Sequence, residues 1–139
     1  MPDSFSGRCA CGAIRYECSS APVAMCNCHC RDCQRASGGA GFPAVLVPGV
    51  QLVVRGEPRY HVTEPEPGKT VRRGFCPHCG SPLFTFLASL PGIVAIKAGS
   101  LDDPSWFHPT FDMWTSSAQP WDVMDPALPK FPNGAPSAA

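Results

Sequence analysis

Four of the chain's nine cysteines fall within Cys26-Asn27-Cys28-His29-Cys30-Arg31-Asp32-Cys33, with one pair upstream at Cys9-Ala10-Cys11 and another downstream at Cys76-Pro77-His78-Cys79. This placement constrains the fold more than any other feature. Thiolates so closely spaced can converge on one soft or borderline cation, because Zn–S bonds of about 2.3 Å gather tetrahedral ligands from a tight turn. Disulfides fit poorly. Cys28 and Cys30 would have to close a very short loop against the geometry of an S–S bond, and an odd number of cysteines cannot all pair within one chain.

The 139 residues predict a single zinc-stabilised domain over 1–131, followed by a flexible tail over 132–139. Seventeen prolines and 13 glycines interrupt the chain too often for long helices. Between them lie short β-like runs at 13–18, 42–47, 51–55, 59–63, 71–75, 83–87 and 93–98, which predict an all-β domain of short antiparallel strands. One helical turn is expected at 31–36, stopped by Ser37-Gly38-Gly39, and the Pro-rich stretch 64–69 reads as an exposed hairpin connection. Basic and acidic side chains balance at 11 each, leaving no electrostatic footprint for nucleic acid or an anionic membrane. Seven cysteinates and two Zn²⁺ would bring the loaded protein to about minus three, which argues further against DNA. No basic-plus-apolar leader and no span of the roughly 20 apolar residues needed to cross a bilayer is visible. A cytoplasmic protein is expected, in surroundings that keep thiols reduced.

Two metal sites are expected. In an extended strand Cys9 and Cys11 point to one side, with Gly12 permitting a tight turn, and Cys76 and Cys79 form a zinc knuckle with Pro77 and Gly80. Together they predict a closed Cys₄ zinc of structural type. Cys28, Cys30 and Cys33 then remain as an open, catalytic three-cysteine site. The competing arrangement is a closed, inert shell of Cys26, Cys28, Cys30 and Cys33; the trio is preferred because a third alternating strand residue sets its sulfur roughly 7 Å from Cys28 along the strand. Cys18 reads as a packed strand thiol. A Zn(Cys)₃ centre carries net negative charge and favours a further soft ligand, so a small thiol such as glutathione, held as a metal-bound thiolate, is the expected substrate.

These residues carry a resemblance. Gly7-Arg8-Cys9-Ala10-Cys11-Gly12-Ala13-Ile14-Arg15-Tyr16, Cys28-His29-Cys30-Arg31-Asp32-Cys33-Gln34-Arg35-Ala36-Ser37-Gly38 and Phe75-Cys76-Pro77-His78-Cys79-Gly80-Ser81, in that order, resemble the glutathione-dependent formaldehyde-activating enzyme (GFA, CENP-V/GFA) family. Gly99-Ser100-Leu101-Asp102-Asp103, His108 and the region from Pro120-Trp121 to Leu128-Pro129 also fit. The resemblance implies a β-tent fold of the Mss4-like type, a structural zinc at Cys9, Cys11, Cys76 and Cys79, and a second zinc at Cys28, Cys30 and Cys33. It also implies a carbon–sulfur lyase that makes or cleaves S-(hydroxymethyl)glutathione-like adducts of a thiol and an aldehyde such as formaldehyde.

The remaining candidates have plain readings beside functional ones. His29 should point away from its neighbouring ligands, to the surface or behind them, and His78 is an exposed turn residue. His108 is either a proton-transfer group or a hydrogen-bonded structural histidine. Arg31, Gln34 and Arg35 could hold a carboxylate or form a solvated turn. Trp106, Trp114 and Trp121 read as core or pocket wall. The alternatives to an enzyme are a non-catalytic zinc scaffold or protein-interaction module, with the second site closed by Cys26 or empty, and a thiol redox or metal-buffering role that Cys18 and Cys26 would favour.

Overall fold

A computed structural model describes residues 2–135 of the chain. It is all-β apart from one short α-helix and a few 3₁₀ turns. Strands β1 (Phe5–Arg8), β2 (Arg15–Cys18) and β5 (Leu52–Arg55) form an antiparallel sheet in the order β1-β2-β5. The larger sheet has eight strands: β3 (Ala24–Cys28), β4 (Phe42–Pro48), β6 (Arg59–Thr63), β7 (Val71–Phe75), β8 (Pro82–Leu87), β9 (Ile93–Lys97), β10 (Asp112–Met113) and β11 (Lys130–Phe131). Their order is β11-β10-β3-β4-β9-β8-β7-β6. Among the described residues no helix is long and apolar enough to cross a membrane.

Each of the β-like runs in the sequence becomes a strand, with ends shifted by at most two residues and 59–63 and 71–75 unshifted. The prolines and glycines fall mainly between them, where the chain needs turns. The residues 64–69 do connect β6 to its antiparallel neighbour β7. Four further strands, β1, β3, β10 and β11, carry no such run. Two of these, β10 and β11, are only two residues long, and β10 pairs in parallel with both β3 and β11.

Register gives the large sheet two different faces, because directly paired residues point the same way. One row runs Met25, Val45, Ile96, Phe84, Gly74 and Tyr60 across five strand pairs. This face packs with Ile14, Tyr16 and Cys18 into the principal core. Tyr60 lies so close over Gly74 that a Cβ there would sit 2.8 Å from its ring. The opposite face carries the rows Cys28–Phe42, Cys26–Ala44–Lys97 and Leu46–Ala95–Thr85–Arg73. A second cluster of Cys26, Cys28, Cys33, Phe42, Ala44 and Ala95 forms there. The helix α1 (Arg31–Ser37) contributes Cys33 to it and ends at Gly38, whose φ of 74° and N–H bond to the Gln34 carbonyl form the predicted stop.

Pro132 and Asn133, the first residues of the predicted tail, accept backbone hydrogen bonds from Ser116 and Trp114 at 3.2 and 2.8 Å. The end of that segment, 136–139, lies outside the described residues.

Candidate metal centres and the reactive face

Among the described residues two groups of cysteines place all their sulfurs within 4.8 Å of one another: Cys9, Cys11, Cys76 and Cys79, and separately Cys28, Cys30 and Cys33. The first group is assembled from two turns of the same design. In one, Cys9 N–H donates to the Ile14 carbonyl and Gly12 N–H to the Cys9 carbonyl; in the other, Cys76 N–H donates to Ser81 and Gly80 N–H to Cys76. Gly12 and Gly80 have φ of 79° and 78°, the left-handed conformation that glycine adopts without steric cost. Cys9 and Cys11 therefore do not sit in a strand as expected. A turn past the end of β1 brings their sulfurs to 3.6 Å, burying Cys9 and exposing Cys11. Backbone amides of Ile14 and His78 donate to the sulfurs of Cys9 and Cys76 at 3.3 and 3.4 Å, an arrangement suited to thiolates. The turns meet where Ala10 N–H reaches the Ser81 hydroxyl at 3.0 Å and the Cys11 and Cys76 sulfurs lie 3.7 Å apart. Tetrahedral ligands about 2.3 Å from zinc are separated by about 3.8 Å, so this donor set fits the ion.

The second group uses a strand, a turn and a helix. Cys28 ends β3, Cys30 caps α1 by accepting the Cys33 N–H at 3.2 Å, and Cys33 faces inward from the first turn of the helix. The Cys33 sulfur is 2.8 Å from that of Cys30 and 3.2 Å from that of Cys28. The trio is drawn in more tightly than the tetrahedral edge, and its three soft donors suit a thiophilic cation once spread slightly. Contacts from the Cys28 and Cys33 thiols hold Cys30 far below the ordinary thiol range. The same clustering pushes Cys28 and Cys33 up, so the charge of the trio settles at its most exposed member. Cys26, although on the same strand face, is not within the cluster; it is fully buried, and burial pushes its thiol up to about 12. Cys18 is buried in the principal core, its thiol 3.6 Å from the Ser20 carbonyl.

Two cations that sequence reading did not single out share the face with this trio. Arg73, on β7, donates from Nη2 toward the Cys33 sulfur at 3.9 Å, and its buried Nε has no hydrogen-bond partner. Lys97, at the end of β9, is only 7% exposed; its ammonium donates to Thr85 at 2.6 Å and lies 3.2 Å from the centre of the Phe42 ring. Burial lowers Lys97 to about 7, opposed by the neighbouring cysteine charges. No carboxylate lies within ion-pair distance of either cation among the described residues. Lys97 and Phe42 also line a cleft of about 530 Å³ that continues to Arg8, Cys9, Ser37 and Asp102, with none of the trio's cysteines in its wall.

The other singled-out residues take definite places. His29 is neither a ligand nor a surface group: it is buried between the carboxylates of Asp112 and Asp122. Gln34 is buried and braced, bonding the His29 and Ser117 carbonyls at 2.8 and 2.9 Å and accepting from Gln119 and Arg31. Arg31, Arg35, His78 and His108 are exposed. Trp106 is half-buried against Phe5, whereas Trp121, expected in a core or wall, is 65% exposed.

A family model described as glutathione-dependent formaldehyde-activating enzyme matches residues 4–117. No curated protein matches the chain. A crystal structure of a Rhodobacter sphaeroides protein is similar in fold, with a TM-score of 0.58 over 70% of this chain and 88% of that one at 21% identity.

Proposed function

The chain belongs to the glutathione-dependent formaldehyde-activating enzyme family, and from that premise we propose that it is a zinc-dependent carbon–sulfur lyase acting on adducts of a small thiol and an aldehyde. The observation that carries this reading is the contrast between the cysteine groups: four donors converge at Cys9, Cys11, Cys76 and Cys79, but only three at Cys28, Cys30 and Cys33. A four-cysteine shell is coordinatively closed and structural, whereas three ligands leave a position for substrate. A zinc held by the trio would supply a Lewis-acidic position where a thiol is deprotonated and held.

The chain's own residues do the rest. Arg73, joined by Lys97 in its protonated form, places positive charge on the face it shares with the trio, favouring the thiolate and the oxygen on which charge gathers as sulfur attacks the carbonyl carbon. In that step a C–S bond forms, the carbonyl π pair moves to oxygen, and a proton from solvent completes the hydroxyl; cleavage runs the same steps backward. The cleft falls within the volume of about 300–1,000 Å³ usual for small-molecule sites, and Arg8 and Lys97 offer cations to a substrate's carboxylates. Glutathione and formaldehyde are thus the first pair to test. The same reading includes two zincs per chain, a β-tent architecture of the Mss4-like type, and work in the cytoplasm, where thiols stay reduced.

Titration calorimetry of zinc-loaded protein with glutathione tests the proposal. Saturable binding is expected, lost in Cys30→Ser, together with cleavage of S-(hydroxymethyl)glutathione followed by NMR. Absence of binding at millimolar glutathione, with two zincs confirmed by elemental analysis, would overturn glutathione as the substrate.

A further inference from the structure

His29, placed between two of the trio's cysteines, has three of its four polar atoms hydrogen-bonded and the fourth close to a carboxylate. Its backbone N–H donates to the Met113 carbonyl at 3.0 Å, and its carbonyl accepts from the Gln34 amide at 2.8 Å. Its ring Nε2 lies 3.0 Å from Asp112 Oδ1, and its Nδ1 lies 2.7 Å from Asp122 Oδ2. The second is a close polar contact outside hydrogen-bond alignment, and neither of its atoms has a hydrogen-bond partner. All three side chains are nearly inaccessible to solvent, at 6%, 1% and 7% exposure for His29, Asp112 and Asp122. Turning the ring would break the Nε2 bond to Asp112 and carry Nδ1 away from Asp122, in surroundings where a buried polar group is costly to leave unpaired.

The two carboxylates come from different places. Asp112 lies on β10, beside Asn27 in register, and is anchored by the Asn27 amide at 3.1 Å and by Lys130 at 2.9 Å. Asp122 lies on the connection from β10 to β11, past residue 117 where the family match ends. That connection grips the ligand segment a second time, since Ser117 and Gln119 bond Gln34, one residue after Cys33. From this arrangement we infer that Asp112 and Asp122, acting through His29, are positioning residues for the second metal centre, so that the C-terminal strap completes a site whose ligands all lie far upstream. Clamping His29 fixes the backbone between Cys28 and Cys30 and so aims both sulfurs at the point that Cys33 faces. The first centre has no such dependence, because its ligand turns close on themselves.

The inference rests on the proposed second zinc, and the test keeps the two separable. Zinc-loaded protein is challenged with increasing chelator, and alkylation of each cysteine is mapped by mass spectrometry. In the wild type, chelator-sensitive protection of Cys28, Cys30 and Cys33 is required; trio thiols that alkylate freely despite added zinc would overturn the second zinc itself and the inference with it. In Asp122→Ala, the trio should lose protection at roughly 10- to 100-fold lower chelator, with Cys9, Cys11, Cys76 and Cys79 protected as before. Asp122→Asn, which keeps an acceptor, should fall between the two. Unchanged protection of the trio in both variants would overturn the inference. Equal loosening of both centres in the milder Asp122→Asn would also overturn it, because the strap would then serve general stability alone.

Discussion

A cation buried without a carboxylate is expensive, and Lys97 carries that cost beside three cysteines. Its stem ends a strand that is otherwise apolar, Ile93-Val94-Ala95-Ile96, so the sequence holds a faint signal at a position where alternation alone gives no role. Lys97→Met keeps the shape and removes the charge. Glutathione affinity should fall by roughly tenfold, about 1.4 kcal/mol, with zinc content unchanged, as read by calorimetry and elemental analysis. Asp112 is the opposite case. Burial raises its carboxyl, but bonds from His29, Lys130 and Asn27 prevail and hold it below the ordinary aspartate value of 3.8. Its stabilising contribution is thus present above that value and lost as pH falls through the lower folded one. Asp112→Asn should cost about 3–5 kcal/mol at neutral pH, and the gap from wild type in thermal melts should close once the pH drops below the native carboxyl's value.

At the scale of elements, sequence and structure part company over the shortest strands. Strands β4, β7, β8 and β9 announce themselves because β-branched and aromatic residues recur in them between turn residues. By contrast β3 reads Ala-Met-Cys-Asn-Cys, where the cysteines speak for metal rather than for a sheet, and β10 contains two residues with no periodicity to detect. Both are strands because neighbours exist to pair with them. The segment between β3 and β4 is equally context-bound: a Cβ on Gly41 would lie 2.3 Å from the Cys28 carbonyl oxygen and 3.2 Å from the His29 Cα. Gly41→Ala should therefore push on the ligand strand itself, costing about 1–3 kcal/mol and weakening the second zinc selectively. Thermal melts combined with zinc counting would check both effects.

Across the whole molecule the first cysteine group brings together turns 65 residues apart, one in each sheet's connections, so a zinc held there would staple them. Structural zinc affinity is folding free energy, of about 10–16 kcal/mol in small zinc domains. Cys76→Ser should accordingly unfold the protein or leave it molten by circular dichroism, whereas Cys30→Ser should keep its fold and melting transition and lose only the second zinc. The two groupings of sulfurs were legible in the chain, because cysteine spacing limits which sulfurs can meet, and strand-forming runs between prolines leave an all-β chain little alternative. The same local rules misplaced Cys9 and Cys11 in a strand, although the turn still gathers their sulfurs. Arg73, Asp112 and Asp122 were invisible at that level, and Lys97 was only faintly marked. They reach the reactive site from β7, β9, β10 and the strap through strand register and chain crossing, and those are fixed by which apolar face the large sheet buries against the small one. Metal chemistry is written in spacings of a few residues, but the charges that tune it are selected by packing between segments far apart in sequence, and only the folded chain specifies that packing.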